Sequence, residues 1–192
     1  MTRPDRNFLS IADVDGYELH DCRVDPSTEN IDPRSFDDIL KFSHARNVTA
    51  SRLYVAGGRE NAVDMNRECQ HVRLQDSLLL GGGQCAVVIK GGCQDITLAR
   101  VALAAPAPAC DIELGGWSDQ SFARTERVTL EEVSRRDGLP VRVVVGYAAP
   151  PLVQRCRVRV LFWRSLALKA YWAAKFFWVR IIRRQPPPGP HL

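Results

Sequence analysis

The hydrophobic residues of this chain follow a pattern that repeats after 24 residues. The stretch NVTASRLYVAGG begins at Asn47 and HVRLQDSLLLGG begins at His71, while NAVDM and CAVVI begin at Asn61 and Cys85 with the same offset. Apolar residues occupy relative positions i, i+2, i+5 and i+7 of the longer stretches. Positions two apart lie on one side of a strand, and the step of three marks a corner. The pattern therefore predicts short strands joined by sharp corners.

Further copies of this pattern lie on either side, around Tyr17, Ile96 and Val128, so about five copies are expected. Glycines at 57–58, 81–83, 91–92 and 115–116 are suited to corners that need a positive φ. A period of roughly 20 to 50 residues is typical of repeat proteins whose units bury their apolar face against one another. A second strand in each copy is predicted from pairs of alternating apolar residues: Val63 and Met65, Val87 and Ile89, Ile112 and Leu114, Val143 and Val145.

Strands of the VTLxxVxL type, glycine-rich corners and copies of roughly 24 residues resemble the right-handed parallel β-helix of the pectate-lyase-like and phage tailspike-like group. The resemblance covers about residues 8 to 146. It implies an all-β fold, a right-handed single-stranded parallel β-helix of about five coils, to which we add a C-terminal α-helix. This fold serves lyases, hydrolases, tailspikes and adhesins, so it implies no single chemistry.

The C-terminal part of the chain has a different pattern, which predicts three segments: a β-helix over 1–150, a helix within 151–185 and a proline-rich disordered tail over 186–192. From about Leu161 to 184 the apolar residues are spaced by alternating steps of four and three, as on one side of an amphipathic helix. From Arg155 onward there are nine Arg or Lys and no Asp or Glu. The sequence QPPPGPHL cannot continue a helix.

Three roles are open for this basic aromatic helix: a cap on the last coil, a membrane-surface anchor or a seam for self-association. A spanning helix is disfavoured because Lys169 and Lys175 would lie near the bilayer centre. Nucleic acid is not expected as a partner, since large apolar groups separate the cations. The residues predicted to contact a membrane or partner are Trp163, Lys169, Trp172, Lys175, Phe177, Trp178 and Arg180.

The composition limits the class of protein but does not indicate a function. The chain has 192 residues, 45% apolar and 25% charged, with a net charge of +4, which is ordinary for a soluble domain. The repeat places Cys69 beside Cys93 and Cys85 beside Cys110, and we expect buried thiols rather than disulfides. No metal or cofactor is predicted. The start, MTRPDRNFLSIADVDG, lacks the apolar core of a signal peptide, so synthesis in the cytoplasm is expected, followed by association with a virion or with the inner membrane face.

Candidate chemistry on the strands is sparse. Asp64, Val88 and Glu113 are expected to point outward from successive second strands, which places the two acids ~9.6 Å apart with a valine between them. Asp64 and Glu113 are therefore only weak catalytic candidates. A carbohydrate-binding site is predicted in two parts: Trp117 and Asp119 in the loop after Gly116, and Lys90 and Asp111 beside the acid row.

These observations favour a non-enzymatic structural or binding module that contacts carbohydrate or another protein, in the setting of a phage or prophage accessory or tail-associated protein. One alternative is a polysaccharide lyase or glycoside hydrolase with acids on one face of the β-helix. A second alternative is a scaffold anchored to an anionic membrane surface through the C-terminal helix. The predicted partners are accordingly a polysaccharide, a protein, an anionic membrane or a second copy of the chain.

Overall fold

Fourteen β-strands and two short 3-10 helices form the part of the chain that the computed structural model describes, residues 7–104, 110–115 and 124–146. The two 3-10 helices, Pro26–Glu29 and Pro33–Ser35, lie in the connection between the third and fourth strands. Each begins at an aspartate whose side chain accepts a hydrogen bond from a backbone N–H two residues later, and each has a proline at its start. These are usual N-terminal signals.

The strands form two sheets. The six-stranded sheet contains β1 (Asn7–Ala12), β4 (Asp38–Ser43), β7 (Asn61–Asn66), β9 (Cys85–Ile89), β11 (Ile112–Gly115) and β14 (Val143–Gly146), in that spatial order. The eight-stranded sheet contains β2 (Glu18–His20), β3 (Arg23–Val24), β5 (Arg46–Ser51), β6 (Tyr54–Ala56), β8 (Gln70–Leu80), β10 (Gln94–Ala104), β12 (Glu126–Glu131) and β13 (Ser134–Arg135). Its main path runs β12-β10-β8-β5-β2, and every pairing in both sheets is parallel.

One hydrophobic core takes side chains from both sheets. In the six-stranded sheet, Leu40, Val63 and Val87 are neighbours on successive strands, and all three are fully buried. In the eight-stranded sheet the corresponding neighbours are Val48, Val72 and Ile96, which are also buried. The β-branched residues in these rows fit the pleated, half-buried surface of a strand. The core is thus built from rows of similar side chains stacked across the strands.

Residues with left-handed backbone conformations recur at two equivalent points along the strands of the eight-stranded sheet. We call these points corners. The first column of corners lies just before or at the start of each strand and consists of equivalent positions with φ between 51° and 74°: Gly16, Asn47, His71, Asp95 and Arg127. The second column follows five residues later, with φ between 51° and 55°: Asp21, Arg52, Asp76, Arg100 and Glu132. Only one of these ten residues is a glycine. The two columns hold all strands of this sheet in one register.

Charges alternate in sign along the second column, so that each arginine lies between two acids. Arg52 forms a bidentate ion pair with Asp21, at 2.6 and 2.7 Å, and Arg100 forms one with Asp76, at 2.5 and 2.9 Å. The Arg52 guanidinium lowers the pKa of Asp21, chiefly through the hydrogen bonds it donates. Because these pairs join adjacent strands at the corner itself, they favour the observed register.

The fold class predicted from the sequence, a right-handed single-stranded parallel β-helix of about five coils with a C-terminal α-helix, is wrong. The described residues form two multi-stranded parallel sheets and contain no α-helix. Alternation with a period of two and a fixed strand-to-strand offset are features of parallel sheets in general, so they do not specify a single spiral. The classification as a pectin-lyase-like solenoid is corrected on the same ground.

The predicted amphipathic helix and the membrane association that depends on it are corrected to the extent that the described residues contain no α-helix and support neither prediction. The segment for which the helix was predicted, about 161 to 184, lies outside the described residues. Within the described ranges, no helix has the length and apolar character needed to cross a membrane.

The residue pairing predicted from the repeat is confirmed. Val48, Val72, Ile96 and Val128 are neighbours in the eight-stranded sheet, as expected. The four pairs predicted for the second strands, 63 and 65, 87 and 89, 112 and 114, and 143 and 145, are in register in the six-stranded sheet. The sequence pattern did not reveal β1 and β4, which precede β7 both along the chain and in the six-stranded sheet.

The left-handed corner gives a testable prediction at Asn47, which has φ of 51°. Replacing Asn47 with Val should lower the free energy of unfolding by about 1 to 2 kcal/mol, because a β-branched residue disfavours this conformation. Asn47→Gly is the matched control and should stay within about 0.5 kcal/mol of the wild type, since glycine adopts this φ without strain. Urea unfolding followed by circular dichroism measures both, and equal losses would contradict the corner argument.

Candidate functional site

The outward face of the six-stranded sheet is shaped by a break in the alternation of its strands. Ile39 and Leu40 are consecutive residues of β4, yet both belong to the hydrophobic core. Two consecutive inward residues bring Asp38 and Lys41, on either side of them, to the same face, and these two side chains form an ion pair. The same break recurs in β7 at Ala62 and in β9 at Ala86, each followed by a buried valine.

This break places two columns side by side on the outward face. The first column contains Asp38, Asn61, Cys85 and Cys110, and the second contains Lys41, Asp64, Val88 and Glu113. Polar and charged residues occupy these columns on β4 and β7. Cys85 and Val88 replace them on β9, and together with Cys110, which lies just before β11, they form a small apolar cluster separate from the main core.

Four charged residues, Asp38, Lys41, Asp64 and Lys90, make up what we call the acid–lysine cluster. The Lys41 Nζ atom lies 3.6 Å from Asp38 Oδ2 and 3.4 Å from Asp64 Oδ2. The Lys90 Nζ atom lies 3.7 Å from the other oxygen of Asp64. The side chains of Asp38, Lys41 and Asp64 are only 5, 7 and 2% exposed, whereas Lys90 is 26% exposed. Two acids and two lysines are thus brought together, three of them buried and Lys90 partly exposed.

Amide and hydroxyl groups complete the surroundings of the acids. Asn61 Nδ2 donates to Asp38 Oδ1 at 2.8 Å, and Asn66 Nδ2 donates to Asp64 Oδ2 at 2.7 Å. Ser43 in turn donates to Asn66 Oδ1 at 2.8 Å. Two buried oxygens, Asn61 Oδ1 and Asp64 Oδ1, accept no hydrogen bond within the structure. Most, but not all, of the hydrogen-bonding capacity of the cluster is used.

The surroundings of Asp38 resist its ionisation. Burial, reinforced by the nearby Asp64 carboxylate, raises the pKa of Asp38 to about 7. The hydrogen bond from Asn61 and the charge of Lys41 act in the opposite direction but do not offset the burial. Asp38 therefore exchanges a proton near neutral pH, which is unusual for an aspartate.

The sequence-predicted site residues fall in several places. Asp64 and Lys90 come together in the acid–lysine cluster, but Glu113 does not join them because Val88 lies between Asp64 and Glu113 on the sheet. The two residues that complete the cluster, Asp38 and Lys41, were missed. The sequence does contain an indication of these two residues, because ILKF at 39–42 aligns with AVDM at 62–65. The loop before ILKF, however, disrupts the 24-residue spacing.

Of the four residues predicted to bind carbohydrate, the described structure includes Lys90, in the acid–lysine cluster, and Asp111. Asp111 is buried, accepts a hydrogen bond from the Arg142 backbone N–H at 2.7 Å and pairs with Arg135 at 3.3 Å, so it anchors the chain before β14. Trp117 and Asp119 lie outside the described residues. The predicted membrane or partner contacts, all between 163 and 180, also lie outside them.

Four of the six cysteines form two aligned pairs, as the repeat predicts, but the pairs differ in oxidation state. Cys85 and Cys110 form a disulfide between adjacent strands, which corrects the expectation of thiols for this pair. Cys69 and Cys93 are free and buried, and their thiols donate to the backbone oxygens of Asn66 and Lys90 at 3.1 and 3.0 Å.

A second surface of interest is the open end formed by β12, β13 and β14, the last strands of the two sheets. Val143 and Val145 continue rows that are buried on preceding strands, yet they are 39 and 56% exposed. In the other sheet, Leu98 is fully buried and its neighbour Leu130 on β12 is 37% exposed. Core positions are therefore open to solvent at this end.

Comparison with known proteins assigns no function to this chain, so its function has to be inferred from the sites described above. No protein-family model and no curated protein matches the chain. Among solved structures, a similar chain is "a putative glycosyl hydrolase from Parabacteroides merdae", with 11% identity and a TM-score of 0.43. The match covers 62% of this chain and 50% of that protein, so the chain spans half of its length. Similarity at this level assigns neither a fold nor an activity.

The raised pKa of Asp38 predicts a specific dependence of stability on pH. Folded Asp38 keeps its proton up to about pH 7, whereas the unfolded carboxyl releases it near 3.8. The folded state therefore binds more protons between these values, and the free energy of unfolding should fall as pH rises, by up to about 1.4 kcal/mol per pH unit.

Urea unfolding of the wild type and of Asp38→Asn between about pH 5 and pH 7 tests this dependence. The amide resembles the protonated acid and can still accept from Asn61, so the variant should lose most of the slope. Asp137→Asn changes an exposed aspartate and should keep the wild-type slope. Parallel profiles for the wild type and Asp38→Asn would contradict a pKa near 7.

Proposed function

We propose that this chain is a non-enzymatic binding module whose binding surface is the open end and whose partner is a second copy of the chain. The supporting observation is the exposure of Leu130, Val143 and Val145 in rows that are otherwise buried. Among the described residues, β12 and β14 are the last strands of their sheets, and the outer edge of such a strand is a template for another strand. Apolar core positions at a free sheet edge favour contact with protein over contact with carbohydrate.

The charges of β12 favour a second copy as the occupant. Arg127 lies near the start of this strand, where it pairs with Asp95, and Glu131 lies at its end, 3.2 Å from Arg73, so a contact with a second copy would extend these ion pairs. If two copies meet with their β12 strands antiparallel and centred on Thr129, each Arg127 lies opposite Glu131 of the other copy, and each Val128 lies opposite Leu130. Such a twofold contact is self-complementary and closes at two copies. Opposite charges directly across a strand pair also stabilise it.

The acid–lysine cluster supports the non-enzymatic part of the proposal. A general acid or base must come within hydrogen-bond distance of the reacting group. Asp38 and Asp64 are 5 and 2% exposed, and each already pairs with Lys41. An extended polysaccharide cannot contact carboxylates in this position. The cluster is better suited to joining β4, β7 and the segment after β9.

One observation favours the alternative, polysaccharide cleavage by an acid pair: Asp38, with a pKa of about 7, lies close to Asp64. A carboxyl group with a raised pKa beside a second carboxyl group is characteristic of glycoside hydrolases. Release of reducing ends and of unsaturated uronides from neutral and acidic polysaccharides tests this alternative. We expect no cleavage by the wild type. Cleavage that is lost in both Asp38→Asn and Asp64→Asn would replace our proposal with the enzymatic one.

Self-association of the full chain tests the proposed partner. Sedimentation velocity over a range of protein concentrations should show a monomer–dimer equilibrium for the wild type. Val145→Lys should shift it to the monomer, because the lysine would place a charge at the apolar contact. Val144→Lys is the matched control: Val144 lies on the same strand and is similarly exposed, but it belongs to the outward row of Glu113.

The variants separate the open end from other modes of association. A dimer that survives in Val144→Lys but not in Val145→Lys supports the proposal. A wild type that stays monomeric at every soluble concentration overturns it. Equal dissociation of the two variants would also overturn the assignment to the inward row. Circular dichroism of each variant confirms that the strands have formed.

A further inference from the structure

The disulfide and the carboxylate beside it form a potential set of metal ligands. Among the described residues, Cys85, Cys110 and Glu113 are the one group of three such side chains whose ligand atoms all lie within 4.8 Å of one another. Cys85 Sγ lies 3.9 Å from Glu113 Oε2. The two sulfur atoms come from adjacent, in-register positions, and the break in alternation brings the carboxylate to the same face.

We propose that reduction of the Cys85–Cys110 disulfide creates a binding site for a thiophilic divalent cation of the zinc type. The ligands would be the two thiolate sulfurs and the Glu113 carboxylate. Two sulfurs and one oxygen are a donor set that Zn²⁺ accepts, and three protein ligands leave a fourth position for solvent. The metal would therefore replace the covalent link between β9 and β11 with a coordinated one.

The environment of the three residues fits this role. Cys85 and Cys110 are 1 and 2% exposed and share an apolar cluster with Val88, which protects the sulfurs from competing ligands. Glu113 is only partly buried and gives solvent ions a route to the site. A low-polarity surround on one side and a polar entry on the other are typical of metal sites.

The second cysteine pair provides an internal comparison. Cys69 and Cys93 also occupy aligned positions, but their thiols donate to backbone oxygens, and among the described residues no carboxylate oxygen lies within 4.8 Å of both sulfur atoms. The two pairs thus differ in the third ligand. The comparison singles out Glu113 as the residue that distinguishes a metal site from a pair of buried thiols.

A small dithiol can act as the reductant of the Cys85–Cys110 disulfide. A dithiol transfers two electrons and two protons to the disulfide and becomes a cyclic disulfide, which leaves two thiols on the protein. Binding of a divalent cation then releases the two thiol protons and forms two metal–sulfur bonds. Oxidation of the thiolates by a disulfide reverses the sequence and releases the ion. The site would therefore bind metal only in a reducing environment.

Cobalt(II) provides a direct test because thiolate ligation gives a charge-transfer band in the near ultraviolet. The full chain, reduced with a dithiol and desalted without oxygen, is titrated with Co²⁺ and then with Zn²⁺. We expect a band that saturates at one ion per chain, that Zn²⁺ removes and that the oxidised protein does not show. Glu113→Gln should weaken binding by about 10-fold or more.

Variants of the two cysteine pairs locate the ion. Cys85→Ser and Cys110→Ser should each abolish saturable binding, whereas the double variant Cys69→Ala with Cys93→Ala should keep it. Absence of the band from the reduced wild type overturns the proposal. Persistence of the band in Cys85→Ser, or its loss only in the Cys69 and Cys93 variant, would assign the ion elsewhere and also overturn it. Because none of these results depends on dimer formation, the proposed function is tested separately.

Discussion

Left-handed corner residues are the constraint on which the eight-stranded sheet depends. An L-residue at positive φ costs about 1 to 2 kcal/mol relative to its usual conformation, so a column of them requires compensation. Two interactions provide it. The backbone N–H at a corner donates to the adjacent strand, as Arg52 does to the Gln75 oxygen at 3.2 Å, and the side chains pair across the same step, as in the bidentate contact of Arg100 with Asp76. A shift of one residue would lose both contacts, which makes the register specific.

Buried charge in the six-stranded sheet follows from a different local feature. Because Ile39 and Leu40 both enter the core, Asp38 is brought to the face that carries Lys41. The equivalent break in the alternation of β7 brings Asp64 to the same face. Removing one member of such a set would leave a buried, unpaired charge, which costs far more than the set contributes when intact. The cluster therefore acts on specificity: it favours the pairing of β4 with β7 that balances the charges.

The amino-acid sequence predicted which residues are neighbours on adjacent strands, but it did not predict how the strands are arranged into two sheets. Stacking of Val48, Val72 and Ile96 followed from the period alone, because apolar rows in parallel strands must be in register to be buried together. The fold class failed because neighbour pairing is the same in any parallel sheet. Asp38 was missed because an irregular connection containing two 3-10 helices precedes β4 and shifts the spacing. The pKa of Asp38 depends on burial, which no linear pattern reports.

One column of the six-stranded sheet contains two kinds of link between neighbouring positions. Asp38 and Asn61 are joined by a hydrogen bond of 2.8 Å, whereas Cys85 and Cys110 are joined covalently. The adjacent column changes with it, from Lys41 and Asp64 to Val88. A valine beside the disulfide and a lysine beside the carboxylates each match the polarity of their neighbours. Glu113 brings a charge back at the next position, but it lies beside the two sulfur atoms rather than beside a lysine, so this step differs chemically from every step before it.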